Sequence, residues 1–257
     1  MRSSLQLGLV ALLFSLPSCM ELSARAHVGY MQPALTGELG LAPSGAPASV
    51  LGSVDLEDSL GVEGEGAPYA RIEATAGVLN LVASGFTYSS TSRGTLQAEF
   101  GDLIIGQLVD TEIEFINAKV GATFDLIDLG FLRLSPGLAV DYVGLDMSVD
   151  AVGSGIIGGN EVLDIQAPVP LLFVQAEADV GPVSAIVDAG GVTVDYGDVD
   201  GTFVDVEALL RVEPASNLEL FAGYRWISLE GEGDASGQEF DADLVIAGWF
   251  VGGALTF

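Results

Sequence analysis

From Ile116 to Leu126 the chain sorts itself by parity. Ile116, Ala118, Val120, Ala122, Phe124 and Leu126 are apolar, while Asn117, Lys119, Gly121, Thr123 and Asp125 between them are polar or small. Successive side chains of a β-strand point to opposite faces, so this stretch fits a strand with one greasy and one polar surface, and a helix would mix the two. The pattern recurs. Val204, Val206, Ala208, Leu210 and Val212 oppose Asp205, Glu207, Leu209, Arg211 and Glu213; Leu218, Leu220, Ala222, Tyr224 and Trp226 oppose Glu219, Phe221, Gly223 and Arg225. Leu132, Leu134, Leu138, Val140 and Tyr142 oppose Arg133, Ser135, Gly137 and Asp141, and Gln175, Glu177 and Asp179 share the polar side of 172–179. The chain ends on Val245, Ala247, Trp249, Val251, Leu255 and Phe257, with small residues at most positions between.

Strand patterns of this kind cover 28–41, 69–76, 78–89, 110–127, 131–146, 163–180, 183–195, 202–213, 218–229 and 240–257. Tight turns fall at Ala76-Gly77, Asp128-Gly130, Gly181-Pro182 and Pro214-Asn217. Longer, Gly- and Asp-rich loops occupy 42–68, 90–109, 147–162, 196–201 and 230–239. Short and long connections alternate, as in an up-and-down transmembrane antiparallel β-barrel. The reading is therefore all-β with about ten strands, eight or twelve lying within the error of the boundaries, and with both termini on one side.

A soluble sandwich also alternates, so the choice of residues has to decide. The apolar faces carry almost no charge along their middles, and the aromatics Trp226, Trp249 and Phe257 mark interface positions. Trp249 and Phe257 are separated by roughly 19 Å along the normal of a strand tilted ~45°. Beyond residue 26 the basic residues are Arg71, Arg93, Lys119, Arg133, Arg211 and Arg225, and all but Arg93 lie on the polar face of a strand. Their face-mates are Glu73, Asp125, Asp141, Glu177, Asp179, Asp188, Asp205, Glu207, Glu213 and Glu219. In a barrel these rows point inward. Charges are costly to bury unless paired, so the expectation is a salt-bridge lattice filling the bore, in place of an oily core.

The 36 acidic residues against 8 basic ones give a formal charge of −28, which excludes a nucleic-acid phosphate backbone as partner. Surplus acid sits in loops such as 54–66 and 229–243, where it would keep a rim soluble or attract divalent cations. The N-terminus reads as an export signal: Arg2 is basic, Leu5 to Leu16 is apolar, and Ala24-Arg25-Ala26 is a cleavage site that would leave 27–257 as the barrel domain. The competing reading takes "LPSC" as a lipoprotein signal with Cys19 lipidated. Cys19 is the single cysteine, so no disulfide forms within the chain.

Site motifs are sparse. "GSGIIG" at 153–158 spells a dinucleotide fingerprint but lacks the strand-to-helix context, and reads as a hairpin loop. Asp198, Asp200 and Glu207, with Gly201, fall at EF-hand loop positions, but Tyr196 stands first and strands flank the segment; they form a weak metal candidate. His27 is the only histidine, which leaves no zinc ligand set of the usual His/Cys type and makes any Ser–His or Cys–His catalysis depend on that one residue; no cofactor is implied.

The signal, the alternating strands, the acidic loops and the terminal "GGALTF" resemble the small outer-membrane β-barrels of Gram-negative bacteria, of the kind of the OmpA transmembrane domain and OmpW. "VGYMQPALTGELG", "VDLEDSLGV", "VPLLF" and "GYRWISLEGE" are similar to a poorly characterised family of proteobacterial outer-membrane barrels. The resemblance implies outer-membrane location, contact with its lipid, and insertion by the barrel-assembly machinery through the C-terminal aromatic strand. The functional expectation is a non-enzymatic structural barrel or a narrow cation-favouring conduit. The alternatives are a lipid-modifying barrel enzyme and a lipid-anchored soluble periplasmic β-protein.

Overall fold

The computed structural model describes residues 22–42, 52–152, 159–196, 199–235 and 238–257, and these contain strands and turns with no helix. Ten long strands form the wall: β1 (Leu22–Leu41), β3 (Ala67–Ala76), β4 (Leu79–Thr95), β5 (Leu108–Phe124), β7 (Leu132–Ala151), β8 (Asn160–Val180), β9 (Val183–Tyr196), β10 (Val199–Ala215), β11 (Leu218–Ala235) and β12 (Gln238–Thr256). Each pairs antiparallel with the next, and β12 pairs back onto β1 to close the barrel. Two short strands, β2 (Gly52–Asp55) and β6 (Ile127–Asp128), add to β1 and β7. The ten segments marked by parity correspond to the ten wall strands.

Following the register from Pro168 on β8 through Tyr142, Ala118, Gly85, Ala70, Val28, Gly253, Leu220, Val212 and Val183 returns to β8 at Val180, twelve residues along. That stagger in a ten-strand barrel corresponds to a strand tilt of about 40°. A residue then climbs about 2.5 Å along the axis, so an apolar band of ~25 Å takes about ten residues. Strands β5 and β7, at 17 and 20 residues, are far longer than the band requires.

The four short connections all lie at the end of the barrel where β1 begins and β12 ends, and each contains a residue with positive φ: Gly77, Gly130, Gly181 and Asn217. A Cβ at Gly130 or Gly181 would meet nothing within 4 Å, so the turn conformation and not crowding calls for glycine there.

The excess strand length explains the main feature of the fold. On β5 the outward side chains Ile116, Val120 and Phe124 are exposed and apolar, but further up the same face come Glu112 and Glu114. On β12, outward Val251 and Trp249 give way to Asp243 and Asp241. The inward face changes in the opposite sense. Lys119 and Asn117 on β5 are followed by Phe115, Ile113 and Val109, and Asp141 on β7 by Val143, Leu145, Met147 and Val149, all buried. The inner half, near the termini, is oily outside and charged inside; the outer half is the reverse. An apolar surface that circles a closed barrel and meets no second sheet is a lipid-facing surface, so the protein is a membrane-embedded β-barrel whose outer half projects beyond the bilayer. The expectation that charges replace an oily core along the whole bore is thus corrected: only the inner half is so filled, because only there is the outward face taken up by lipid.

The stretch expected as a long external loop at 42–68 is built into the wall from residue 52 onward. Strand β3 stops at Ala67, opposite Met31, and the gap above it between β1 and β4 is filled by residues 52–66. The Leu56 N–H donates to Gly37 O (3.0 Å), the Ser92 hydroxyl to Leu60 O (2.9 Å) and the Tyr88 hydroxyl to Glu63 O (2.7 Å). Leu56, Leu60 and Val62 are buried in the apolar core. Residues 22–26 lie within β1, where the Phe257 N–H donates to Ala24 O (2.9 Å); Cys19 and the rest of the expected signal fall outside the described residues.

Candidate functional site: a sealed charge lattice

The inner half of the bore is crossed by ion pairs from eight of the ten wall strands. Near the short turns, Arg133 of β7 reaches Glu177 (2.6 Å) and Asp179 (3.6 Å) of β8. Arg211 of β10 binds Glu177, Glu73 of β3 (2.7 Å) and Glu219 of β11 (3.9 Å). One level higher, Arg71 binds Glu73 (2.7 Å), Asp188 of β9 (2.6 Å) and Glu207 of β10 (2.5 Å). Tyr69 donates to the same Glu207 oxygen (2.9 Å), and Gln175 to Asp188 (3.0 Å). At the top, Asp205 accepts from Lys119 of β5 (2.6 Å) and from Arg225 of β11 (2.8 Å), while Asn117 donates to Asp141 (2.6 Å). The strands place these groups by parity alone, each at an inward position.

Carboxylates outnumber cations in the lattice, eight to six among the described residues. Among the described residues the lattice joins Arg25, Arg71, Lys119, Arg133, Arg211 and Arg225 to Glu73, Asp141, Glu177, Asp179, Asp188, Asp205, Glu207 and Glu219. Arg25 was missed because it lies within the expected signal; on β1 it sits 3.2 Å from Glu219 and 3.6 Å from Glu73. Two acids of the sequence set stand apart. Asp125, at the turn, accepts from Asn80 (2.6 Å) and Ser135 (2.7 Å), and no cation among the described residues pairs with it. Glu213 is exposed at the bulge where the β10–β11 register shifts between Val212 and Ala215. Arg93 lies outside, paired with Asp110 at 2.5 Å.

The lattice is dry. Arg225, Asp188 and Asp205 are 0% exposed, and Arg71 and Lys119 are 1% exposed. Two of its buried cations also lie against rings: the Lys119 ammonium is 5.4 Å from the centre of Phe173, and the Arg225 guanidinium 5.6 Å from that of Phe86. Such contacts suit a cation leaving polar company for an apolar layer. Above the rings the interior is hydrocarbon, with Phe115, Leu145, Ile227 and Leu244 all buried. A hydrated ion travelling along the axis would have to displace both the lattice and this cover.

The remaining sequence candidates are dispersed. Asp200 faces outward at the top of β10 while Glu207 points into the lattice, and Asp198 lies outside the described residues. No group of three or more potential metal ligands occurs among the described residues. The 153–158 segment is also outside them. His27 points into the bore, edge-on to Phe221 (5.2 Å) and 3.8 Å from Glu219. Trp249 and Phe257 are outward, 72% and 73% exposed, and Trp226 is outward and half-buried.

On the projecting half, Asp146 of β7 stands outward among Glu114 and Asp164, which are its register partners on β5 and β8. Partial burial, followed by repulsion from Asp164 and Glu114, raises the Asp146 pKa above the usual aspartate value.

Among solved structures, the chain is similar to the outer membrane protease OmpT of Escherichia coli, at 9% identity and a TM-score of 0.55, covering 91% of this chain and 97% of that one. It is also similar to Ail, the attachment invasion locus protein of Yersinia pestis, at 12% identity and a TM-score of 0.36, covering 93% and 100%. No family model matches the sequence. No curated protein matches it. At such identity the likeness to OmpT is one of fold alone.

Proposed function

We propose that the protein is a non-enzymatic, structural barrel of the Gram-negative outer membrane with a closed bore, and that it does not conduct ions. One observation carries this reading: the buried ion pairs of the inner half are followed by a packed apolar layer across the outer half. A conduit needs a continuous polar path, and two barriers of opposite chemistry lie in series here. The outward aromatics Trp249 and Phe257 of the lipid-facing β12 support delivery by the barrel-assembly machinery, and the resemblance to OmpA- and OmpW-like barrels agrees with that route. The acidic projecting half would then be the part that faces the exterior.

A lipid-modifying role has little to draw on. The one histidine is packed inside against Phe221, away from the outward face. The bore reading is tested by planar-bilayer recording of the refolded protein. We expect a silent membrane under conditions where a general porin gives steps; steady cation-selective steps would replace the structural reading with the conduit.

A further inference from the structure

The wall is not equally knit. β7 and β8 pair from Asp150↔Asn160 down to Leu132↔Ala178, whereas β8 and β9 pair over only nine registers, Leu172–Val180 with Val183–Gly191. Above Leu172 the β8 edge has no partner strand among the described residues, although β9 continues up to Tyr196 along β10. Prolines explain the stop. Pro168 and Pro170 of β8 and Pro136 of β7 all fall in alternate pairs of the β7–β8 ladder: Tyr142↔Pro168, Val140↔Pro170 and Pro136↔Val174. That ladder is unbroken, so these are its non-hydrogen-bonded pairs, and the nitrogens of Pro168 and Pro170 face β9 with no hydrogen to give. Pro136 agrees, since the β5–β7 ladder ends at Gly137, one residue before it.

The seam exposes hydrocarbon. Inward Val143, Leu145, Met147 and Val149 on β7 are buried, but Ile165 and Val169 on β8 and Val192 on β9 are only half-buried. Ile165 also borders a narrow apolar cavity in the outer half, with Phe115, Val143 and Leu244. At the foot of the seam Leu172 is 75% exposed and faces Gly191. Gly191 is explained neither by a positive φ nor by crowding: an added Cβ would meet its nearest neighbour, Phe203 O, at an ordinary 3.4 Å. Its missing side chain leaves a groove in the lipid-facing surface that runs up between the two strands.

We propose that this seam between β8 and β9 is a binding groove for an acyl chain of an outer-leaflet lipid, which leaves the lipid-facing belt beside Gly191 and lies against Val169, Val192 and Ile165. The groove is continuous with the apolar belt, its lip is Leu172, Pro170 and Pro168, and neither 165–172 on β8 nor 191–194 on β9 contains a charged residue. A peptide strand is a poor occupant, because an edge that carries two prolines cannot supply the donors that strand addition uses. The proposal rests on the membrane reading given above.

The test uses tryptophan as a depth probe. In the full chain with Trp226→Phe and Trp249→Phe, Val169→Trp is refolded, checked for folding by heat-modifiable gel mobility, and placed in phosphatidylcholine vesicles with plain or chain-brominated lipid. We expect bromine to quench the indole at position 169 to a degree comparable with a Leu172→Trp control, and a further Gly191→Val change to reduce that quenching. Quenching by aqueous acrylamide alone would mean a water-filled notch, and quenching by neither a closed wall; both overturn the proposal. Should Val169→Trp not fold, Val192→Trp is read in the same way. If Leu172→Trp itself escapes bromine, the membrane reading fails; if Leu172→Trp is quenched and position 169 is not, only the groove does.

Discussion

The inner and outer halves of this barrel share every wall strand but β3, and the same parity, yet they solve opposite problems. Near the termini, lipid occupies the outside, so the hydrocarbon side chains go there and the bore must be filled by charges that satisfy one another. In the projecting half, water occupies the outside, so Glu112, Glu114, Asp241 and Asp243 face it and the bore is filled like a soluble protein core. What a side chain does in this fold is thus set by the solvent outside the wall at its height, and only secondarily by whether it points in or out.

The comparison breaks most sharply in the filling of the two halves. Asp205→Ala would leave Lys119 and Arg225 buried beside an empty site, and removing one partner of a buried pair costs about 3–5 kcal/mol. Asp205→Asn keeps the volume and part of the hydrogen bonding, and we expect a smaller loss. In the outer half, Phe115→Ala removes a buried ring from a hydrocarbon core, for which about 3 kcal/mol is the ordinary cost. Urea unfolding of the refolded variants, followed by tryptophan emission and gel mobility, measures both. An Asp205→Ala loss no larger than that of a surface change would mean that water reaches the lattice.

The outer faces are compared by placing one substituent at two heights. Val120 and Glu114 point outward on β5, six residues apart. Val120→Arg puts a cation against acyl chains, at about 2–4 kcal/mol if it lies near the midplane. Glu114→Arg puts the same group among Asp146 and other acids in water, where surface changes stay within about 0.5 kcal/mol. Similar costs at the two positions would remove the lipid boundary drawn between them.

Much of this was legible in the residues. Parity located all ten wall strands, and the turns at Gly77, Gly130, Gly181 and Asn217 coincide with the four short connections, because local backbone chemistry decides both. The inward direction of Arg71, Lys119, Arg211 and Arg225 follows from parity too. Their particular partners do not, since Arg71 meets Asp188 and Glu207 across the bore only once the stagger of the barrel is fixed. The oily outer core was missed for a simpler reason. The parity of β5 continues through Val109, Thr111, Ile113 and Phe115, but its apolar member changes sides there, and a pattern sought with the greasy face outward stops at Ile116. The signal was present: Glu112 and Glu114 alternate with Ile113 and Phe115 as regularly as Lys119 alternates with Val120. The wall segment at 52–66 gave no such sign, because its register with β1 and its contacts with β4 depend on where β3 happens to stop.

The smallest expected effect concerns the pH response of the projecting half. Asp146 has its pKa raised by partial burial and by its acidic neighbours Asp164 and Glu114, so the folded protein holds that proton more tightly than the unfolded chain does. Raised carboxylate affinity in the folded state means that Asp146 favours folding fully only below its unfolded pKa, and that this contribution is lost as the pH rises through the folded value. Ionisation at neutral pH therefore works against the fold, and Asp146→Asn, which cannot ionise, should be slightly more stable than the parent at pH 7 and should lose that advantage in acid. The group is largely exposed and salt screens it, so the gain belongs to the small effects of surface charge and should shrink further in high salt. Unfolding midpoints of the two proteins at neutral and acidic pH, at low and high ionic strength, provide the check. A gain that grows toward acid, or that ignores salt, would show that Asp146 is stabilised by something other than relief from its acidic neighbours, and would undo the description of this face as a water-exposed acidic surface.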